Sequence, residues 1–154
     1  MTNDNTQYVS EEKKLELETE LLELKEKIIP AIAKRIDEAK QLGDLSENAE
    51  YHAAREEMAW AQSRIKELSH ILDNAEIITK SSGKNINLGS KIVVEVNGKE
   101  KNYTIVGAQE ANPIEGKISN ESPLGEAFMG RKKGDKIEVV VPSGTQTYKI
   151  IAVN

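Results

Sequence analysis

The chain has 154 residues, 38% apolar and 31% charged, with a net charge of −5 and a mean hydropathy of −0.54. That is enough for one or two small soluble domains, and no run approaches the ~20 apolar residues of a membrane span. Cysteine is absent, which excludes disulfides, thiolate metal sites and thiol nucleophiles; residues 1–80 hold 11 Lys/Arg against 18 Asp/Glu, which argues against gripping nucleic acid along the chain by counterion release.

Residues 1–7 are polar and expected to be disordered. They lack the basic and apolar regions of a signal peptide, so a cytoplasmic location with no membrane partner is expected. Tyr8 and Val9 read as a short strand or anchor. Ser10 is suited to cap a helix whose first turn holds Glu11 and Glu12, where the helix dipole favours negative charge. That helix should run from 11 to 42. Leu17, Leu21, Leu24 and Ile28 follow the 4-3-4 spacing of a coiled-coil seam. The spacing then slips through Ile28, Ile32, Ile36 and Ala39, a 4-4-3 series that reads as a stutter. Pro30 lies at the slip and predicts a bend there.

Gly43 should end the first helix, and the second should start within 44–46 and run to 77. Ala54, Met58, Ala61, Ile65, Leu68, Leu72 and Ala75 keep strict 4-3 spacing. Two helices of about 30 residues, each roughly 45 Å long, joined by a short connection, must be antiparallel. Ala39, Ala49, Ala53 and Ala54 lie toward the turn and Leu21, Leu22, Leu68 and Leu72 toward the base, so the hairpin should narrow to its tip. Trp60, beside the seam, is expected to pack in part. Residues 1–79 are thus an all-α hairpin with an acidic tip at 43–48.

Residues 80–84 form a polar linker. Beyond it the period becomes two: Ile92, Val94 and Val96 alternate with Lys91, Val93 and Glu95. Asn97-Gly98 predicts a type I′ hairpin into Tyr103, Ile105 and Val106. Residues 115–119 read as a third strand. Ser122 should cap a helix over 122–130 with Pro123 in its first turn. Strands from Ile137 to Val141 and Thr147 to Val153 complete an α+β domain over 85–154, an antiparallel sheet with one short helix.

The run Gly43-Asp44-Leu45-Ser46-Glu47-Asn48-Ala49-Glu50-Tyr51-His52-Ala53-Ala54-Arg55-Glu56 resembles the GreA/GreB family of bacterial transcript cleavage factors. The likeness continues in Glu115 to Ser119, Ser122-Pro123-Leu124-Gly125, Gly130, Gly134-Asp135 and Pro142-Ser143-Gly144. Leu45 and Ala53-Ala54 resemble the GreA branch. The resemblance implies a coiled-coil hairpin and an FKBP-like C-terminal domain. It implies that the C-terminal domain binds the rim of the secondary channel of bacterial RNA polymerase, with the Ser122, Pro123, Leu124 and Gly125 turn a polymerase-binding segment. The hairpin would pass through the channel and promote the polymerase's own hydrolysis of a backtracked transcript's 3′ end, so the chain would not itself be an enzyme. Asp44 and Glu47 match the family's catalytic acids, Arg55 a position facing the nascent RNA, and Ser46, Asn48 and Tyr51 flank the acids as supports. Ile28-Ile29 stand where relatives often have Arg, which weakens a basic patch along the hairpin. A monomer is expected.

Mg²⁺ prefers about six oxygens and sheds its waters reluctantly. Two exposed carboxylates make no tight site alone; Asp44 and Glu47 suit a Mg²⁺ shared with polymerase ligands, where the metal activates water for hydrolysis. Their spacing alone is equally that of a capping box, Asp-x-x-Glu. Three other readings stand beside the cleavage factor. A channel-binding inhibitor without cleavage activity would share the shape, although related inhibitors carry altered, more acidic tips. A prolyl isomerase would need an aromatic-lined pocket, for which the second domain offers only Tyr103, Phe128 and Tyr148. A plain coiled-coil spacer leaves the tip sequence unexplained. His52 and His70 are isolated and suit no metal site.

Overall fold

The computed structural model describes residues 5–79 and 83–154. Residues 1–4 of the expected disordered start and 80–82 of the expected linker lie outside the described residues. The chain divides into two compact units. One joins the segment ending at Lys13 to Glu76–Asn154, and the other is Lys14–Ala75. The division differs from a boundary at 79 because the first residues fold with the sheet unit. Strand β1 (Gln7–Val9) pairs with β2 (Ala75–Ile77), and the amide of Ile78 donates to the carbonyl of Val9 at 2.9 Å. Val9 is fully buried. Ser10 donates through both its amide and its hydroxyl to the carboxylate of Glu110, at 3.0 and 2.5 Å. Its hydroxyl also accepts from the amide of Lys13, the expected cap.

The first arm of the hairpin is helix α1 (Glu11–Glu23), a π-helical turn (Leu24–Ile28) and helix α2 (Ile29–Lys40). Its fully buried residues are Leu17, Leu24, Ile32 and Ala39. Their separations are seven, eight and seven, so the slip amounts to one surplus residue. The π turn takes it up: the amide of Ile29 bonds to the carbonyl of Leu24, five residues back. A turn closed by i→i−5 bonds holds one more residue than an α turn, which returns Ile32 and Ala39 to the seam. Pro30 follows directly, where the widened turn eases its clash with the carbonyl of Glu26. The sequence predicts a bend at Pro30; the feature found there is a π turn just before it, inside the arm.

Helix α3 (Ala49–Asp73) buries Ala54, Ala61, Leu68 and Ile71. It begins later than the predicted 44–46, because residues 45–47 form a 3₁₀ turn first. It ends before 77, because Asn74 caps its last turn through Nδ2 to the carbonyl of His70 at 2.8 Å and the next residues enter β2. The gradient of size holds among buried positions, with alanines toward the turn and leucines toward the base. Ala49, Ala53 and Leu22 are nevertheless exposed, and Trp60 is 60% exposed rather than packed. Between the helices Arg35 pairs with Glu57. Arg64 holds Glu20 through Nε at 2.7 Å and Nη2 at 3.0 Å, and Glu67 at 2.8 Å. These carboxylates push its pKa up, hydrogen bonding to Glu20 first.

The second unit is a five-stranded sheet of order β5-β4-β3-β7-β6, from β3 (Lys91–Val96), β4 (Lys99–Val106), β5 (Lys117–Ser119), β6 (Lys136–Val141) and β7 (Gly144–Val153). Asn97 and Gly98 both have positive φ, 54° and 75°, as the type I′ turn requires. The sheet is mixed rather than wholly antiparallel. A crossover through 3₁₀ turns at Ala108–Glu110 and Pro113–Glu115 brings β5 parallel to β4, and the third strand begins at Lys117 rather than 115. Helix α4 (Pro123–Phe128) contacts both edge strands, β5 and β6, so the sheet curls around it. Phe128, fully buried, packs against Tyr103 and Tyr148 with ring centroids 6.1 and 5.6 Å away. The three aromatic residues considered for a proline pocket fill the core instead.

Candidate functional site at the hairpin turn

The helices leave eight residues, 41–48, to make the turn. The amides of Gln41 and Leu42 bond back to Glu38 and Ala39, and Gly43 then reverses the chain at φ 127°. Asp44 takes an extended conformation and caps the short 3₁₀ turn Leu45–Glu47. Its Oδ1 accepts from the amide of Ser46 at 3.0 Å and from the Ser46 hydroxyl at 2.9 Å. Those bonds, the backbone one first, hold the Asp44 carboxyl below the usual range. Asp44 is therefore a carboxylate at neutral pH, with Oδ2 outside the Ser46 contacts.

Glu47 does not close a capping box. Its carboxylate has no hydrogen bond or ion pair among the described residues, and it is exposed. The cap of the long helix falls to Asn48, whose Oδ1 accepts from the amide of Tyr51 at 3.0 Å. The same amide group donates through Nδ2 to the carbonyl of Ala39 at 2.7 Å, across the hairpin. Leu42, Asp44, Glu47, Asn48, Ala49 and Glu50 line a concavity of about 350 Å³.

Behind the turn, the Arg55 guanidinium lies over the Tyr51 ring, 5.7 Å from its centroid. At an exposed site such stacking contributes about 0.5–1 kcal/mol. Arg35 and Arg64 are neutralised by carboxylates, whereas Arg55 has no ion pair among the described residues. It is the hairpin arginine whose charge faces outward. The Tyr51 ring also meets His52 edge-on at 5.6 Å, and His52 Nε2 lies 3.5 Å from the carbonyl of Ser46. The structure thus brings Asp44, Ser46, Glu47, Asn48, Tyr51 and Arg55 to one end of the hairpin. No cluster of three or more His, Cys, Asp or Glu suited to a metal occurs among the described residues.

The remaining sequence-selected residues belong to the other unit, and Ser122, Leu124 and Gly125 have work in the fold. Ser122 caps α4, its hydroxyl accepting from the amide of Gly125 at 3.1 Å and donating to the carbonyl of Ser119 at 2.7 Å. Leu124 packs on the core. Gly125 is buried where an added Cβ would stand 1.8 Å from the carbonyl oxygen of Ser119. Pro123 is the exposed member of the four. Sequence reasoning placed Ala39 on the seam but missed that its carbonyl anchors Asn48, and it missed the Arg35–Glu57 pair. Opposite charges flanking the seam were the available signal for the pair; nothing local marks the carbonyl.

Residues 7–77 match a family described as "Transcription elongation factor, N-terminal", and residues 80–154 one described as "Transcription elongation factor, GreA/GreB, C-term". The chain belongs to the GreA/GreB family of transcription elongation factors. Curated GreA/GreB relatives agree over nearly the whole length. Transcription elongation factor GreA of Roseiflexus sp. (strain RS-1) is 42% identical over 155 residues, covering 98% of this chain and 99% of the relative. That of Thermotoga sp. (strain RQ2) is 47% identical over 140 residues, covering 89% and 90%. Among solved structures, GreA factor homolog 1 of Thermus thermophilus is 27% identical, covering 97% of this chain and 99% of that one, with a TM-score of 0.45. As a GreA/GreB member the chain has the expected two-part build, a helical hairpin followed by a sheet-rich domain with one short helix. No helix among the described residues is long and apolar enough to cross a membrane.

Proposed function

We propose that this elongation factor binds bacterial RNA polymerase at the rim of its secondary channel, extends its hairpin to the active site, and stimulates the polymerase's own cleavage of backtracked transcript 3′ ends. The observation that carries this reading is the state of the two tip carboxylates. Asp44 is held by two bonds from Ser46, with one oxygen outside them, and Glu47 has no partner among the described residues. Asp44 caps only the short 3₁₀ turn, and the long helix is capped by Asn48 rather than through an Asp44–Glu47 capping box, which leaves Glu47 outside the capping.

The donor set fits half of a Mg²⁺ site. Two carboxylates fall short of the ~6 oxygens the ion prefers, so Asp44 and Glu47 would hold a Mg²⁺ only together with polymerase ligands. Bound there, the ion would neutralise phosphate charge and activate water for hydrolysis. The chain's own residues orient. Ser46 holds the Asp44 carboxylate, and Tyr51 holds the Arg55 guanidinium, whose unpaired charge suits a transcript phosphate. The factor supplies no complete hydrolytic centre, so the reaction belongs to the polymerase. Pro123, exposed on the α4 turn that Ser122, Leu124 and Gly125 shape, suits the rim contact.

The test is cleavage of end-labelled RNA in a backtracked elongation complex with Mg²⁺, with and without the protein, alongside an Asp44→Asn, Glu47→Gln variant that folds and binds polymerase. Cleavage should rise with the wild type and return with the variant to the rate of polymerase alone. Binding without stimulation by the wild type would overturn the reading in favour of a channel-occupying inhibitor.

A further inference from the structure

We propose that Asn48 is the positioning residue for the tip: one carboxamide starts the second helix and straps the acid-bearing turn to the first. The inference rests on reading Asp44 and Glu47 as the working groups. After Leu42, no backbone hydrogen bond among the described residues returns the turn to α2; the next, from the amide of Asn48 to the carbonyl of Leu45, is local and long at 3.4 Å. Asp44's bonds to Ser46 are also local. They shape the 3₁₀ turn without fixing it to the hairpin. On the second helix His52 Nε2 lies 3.5 Å from the Ser46 carbonyl; among the described residues, the hydrogen bond that ties the turn to the first helix is Asn48 Nδ2 to the carbonyl of Ala39 at 2.7 Å.

The amide's orientation is dictated by its partners. The Tyr51 N–H can only donate and the Ala39 carbonyl can only accept, so the Asn oxygen must face the first and its nitrogen the second. The Ala39 carbonyl also accepts from the amide of Leu42 at 3.1 Å, so both its lone pairs are used. Asp has no donor for this carbonyl, and Ser is too short to reach across while still capping. The small seam residues Ala39 and Ala54, each 3% exposed, let the backbones approach closely enough for an Asn to span them. Glu47 immediately precedes the strap and Asp44 lies four residues before it, so both carboxylates take their place relative to the first helix from this side chain.

The decisive variant is Asn48→Ser. Serine caps a helix about as well as asparagine and adds no charge, so the cap stays while the strap is lost. Asn48→Ala removes both. The first readout needs no polymerase: backbone amide order parameters of Leu45, Ser46 and Glu47 by ¹⁵N relaxation. In the wild type they should approach the ~0.85 of rigid backbone, and in Asn48→Ser fall below ~0.6, while those of Ala54 to Leu68 do not change. The second is stimulated cleavage. The concentration of factor giving half-maximal effect should be unchanged, and the maximal rate should fall roughly ten- to a hundredfold, the cost of misplacing a reacting group by about 1 Å.

Unchanged order parameters in Asn48→Ser would overturn the strap. Loosened order parameters with an unchanged maximal rate would overturn its role in the reaction while leaving the cleavage function standing. A wild type that stimulates no cleavage would sink the proposed function, and the relaxation data would still decide the strap.

Discussion

Gly125→Ala isolates what the Ser122–Gly125 motif contributes to the fold. The new methyl would stand 1.8 Å from the carbonyl oxygen of Ser119 and 2.8 Å from its carbon. An opening of about 1.2 Å is needed before that contact reaches even 3.0 Å. Backbone lies on both sides, so no flexible side chain can yield. The carbonyl that must retreat accepts from the Ser122 hydroxyl at 2.7 Å and the Ser122 amide at 3.1 Å. Overpacking costs about 1–3 kcal/mol and two weakened hydrogen bonds about 1 kcal/mol each. The better helix propensity of alanine returns about 1 kcal/mol. The net loss is about 2–4 kcal/mol, and at roughly 4–8 °C per kcal/mol for a domain of this size the melting temperature should fall by roughly 10–30 °C. Calorimetry of the full chain measures it, with far-UV circular dichroism following the hairpin helices separately. A transition within about 2 °C of wild type would refute the argument that this glycine is demanded by the approach of α4 to β5.

Ser10→Ala keeps the backbone amide bond to Glu110 but removes the hydroxyl bond and the cap on Lys13, so urea titration should show a loss of about 1–2 kcal/mol. Arg64→Met breaks the fork to Glu20 and the bond to Glu67; these groups are partly solvated, so the loss should be no more than about 1 kcal/mol and should shrink as salt is added. Ser46→Ala should raise the Asp44 pKa toward the ordinary carboxylate value, read by NMR titration of its side-chain carboxyl. The Asp44 pKa is lowered in the folded state, so its contribution to stability is present above the unfolded value and disappears as pH falls through the folded one. Burial raises the phenols of Tyr148 and Tyr103. The stability they carry is complete below the unfolded phenol pKa and lost as pH rises through the folded one, so phenolate absorbance and sheet unfolding should climb together in alkaline titration.

What the sequence made legible was local. Asn97-Gly98 demands positive φ at two successive residues, and Ser122-Pro123 is a cap followed by a residue that needs no amide, so both were readable from neighbours alone. The acidic tip was readable as a departure from the seam. The start of the second helix was not. Asp44-x-x-Glu47 and Asn48-x-x-Tyr51 are both plausible caps, and the choice is tied to a carbonyl on the other helix. The end of α3 at Asp73 was hidden for a similar reason, since the following residues pair with a strand at the start of the chain. The parallel pairing of β5 with β4 rests on a crossover whose direction no period-two pattern records. Glu47's lack of a partner among the described residues followed only once the cap was assigned to Asn48.

The π turn at Leu24–Ile28 makes the length of the first arm a quantity that can change in single steps. An α-helical seam ordinarily tolerates insertions and deletions only in multiples that restore its phase, because one residue turns every later side chain by about 100°. Here the surplus residue is stored in one place. Removing one residue from Lys25–Lys27 would return the buried spacing to seven throughout and shorten the arm by about 1.5 Å, leaving Leu17, Leu24, Ile32 and Ala39 on the seam. Pro30 sets a ratchet on that change. In a regular helix it would cost about 3 kcal/mol, so the shorter arm becomes accessible only after the proline is replaced. The distance from the base of the hairpin to Asp44 and Glu47 is therefore adjustable in evolution or by design, through two changes five residues apart at most.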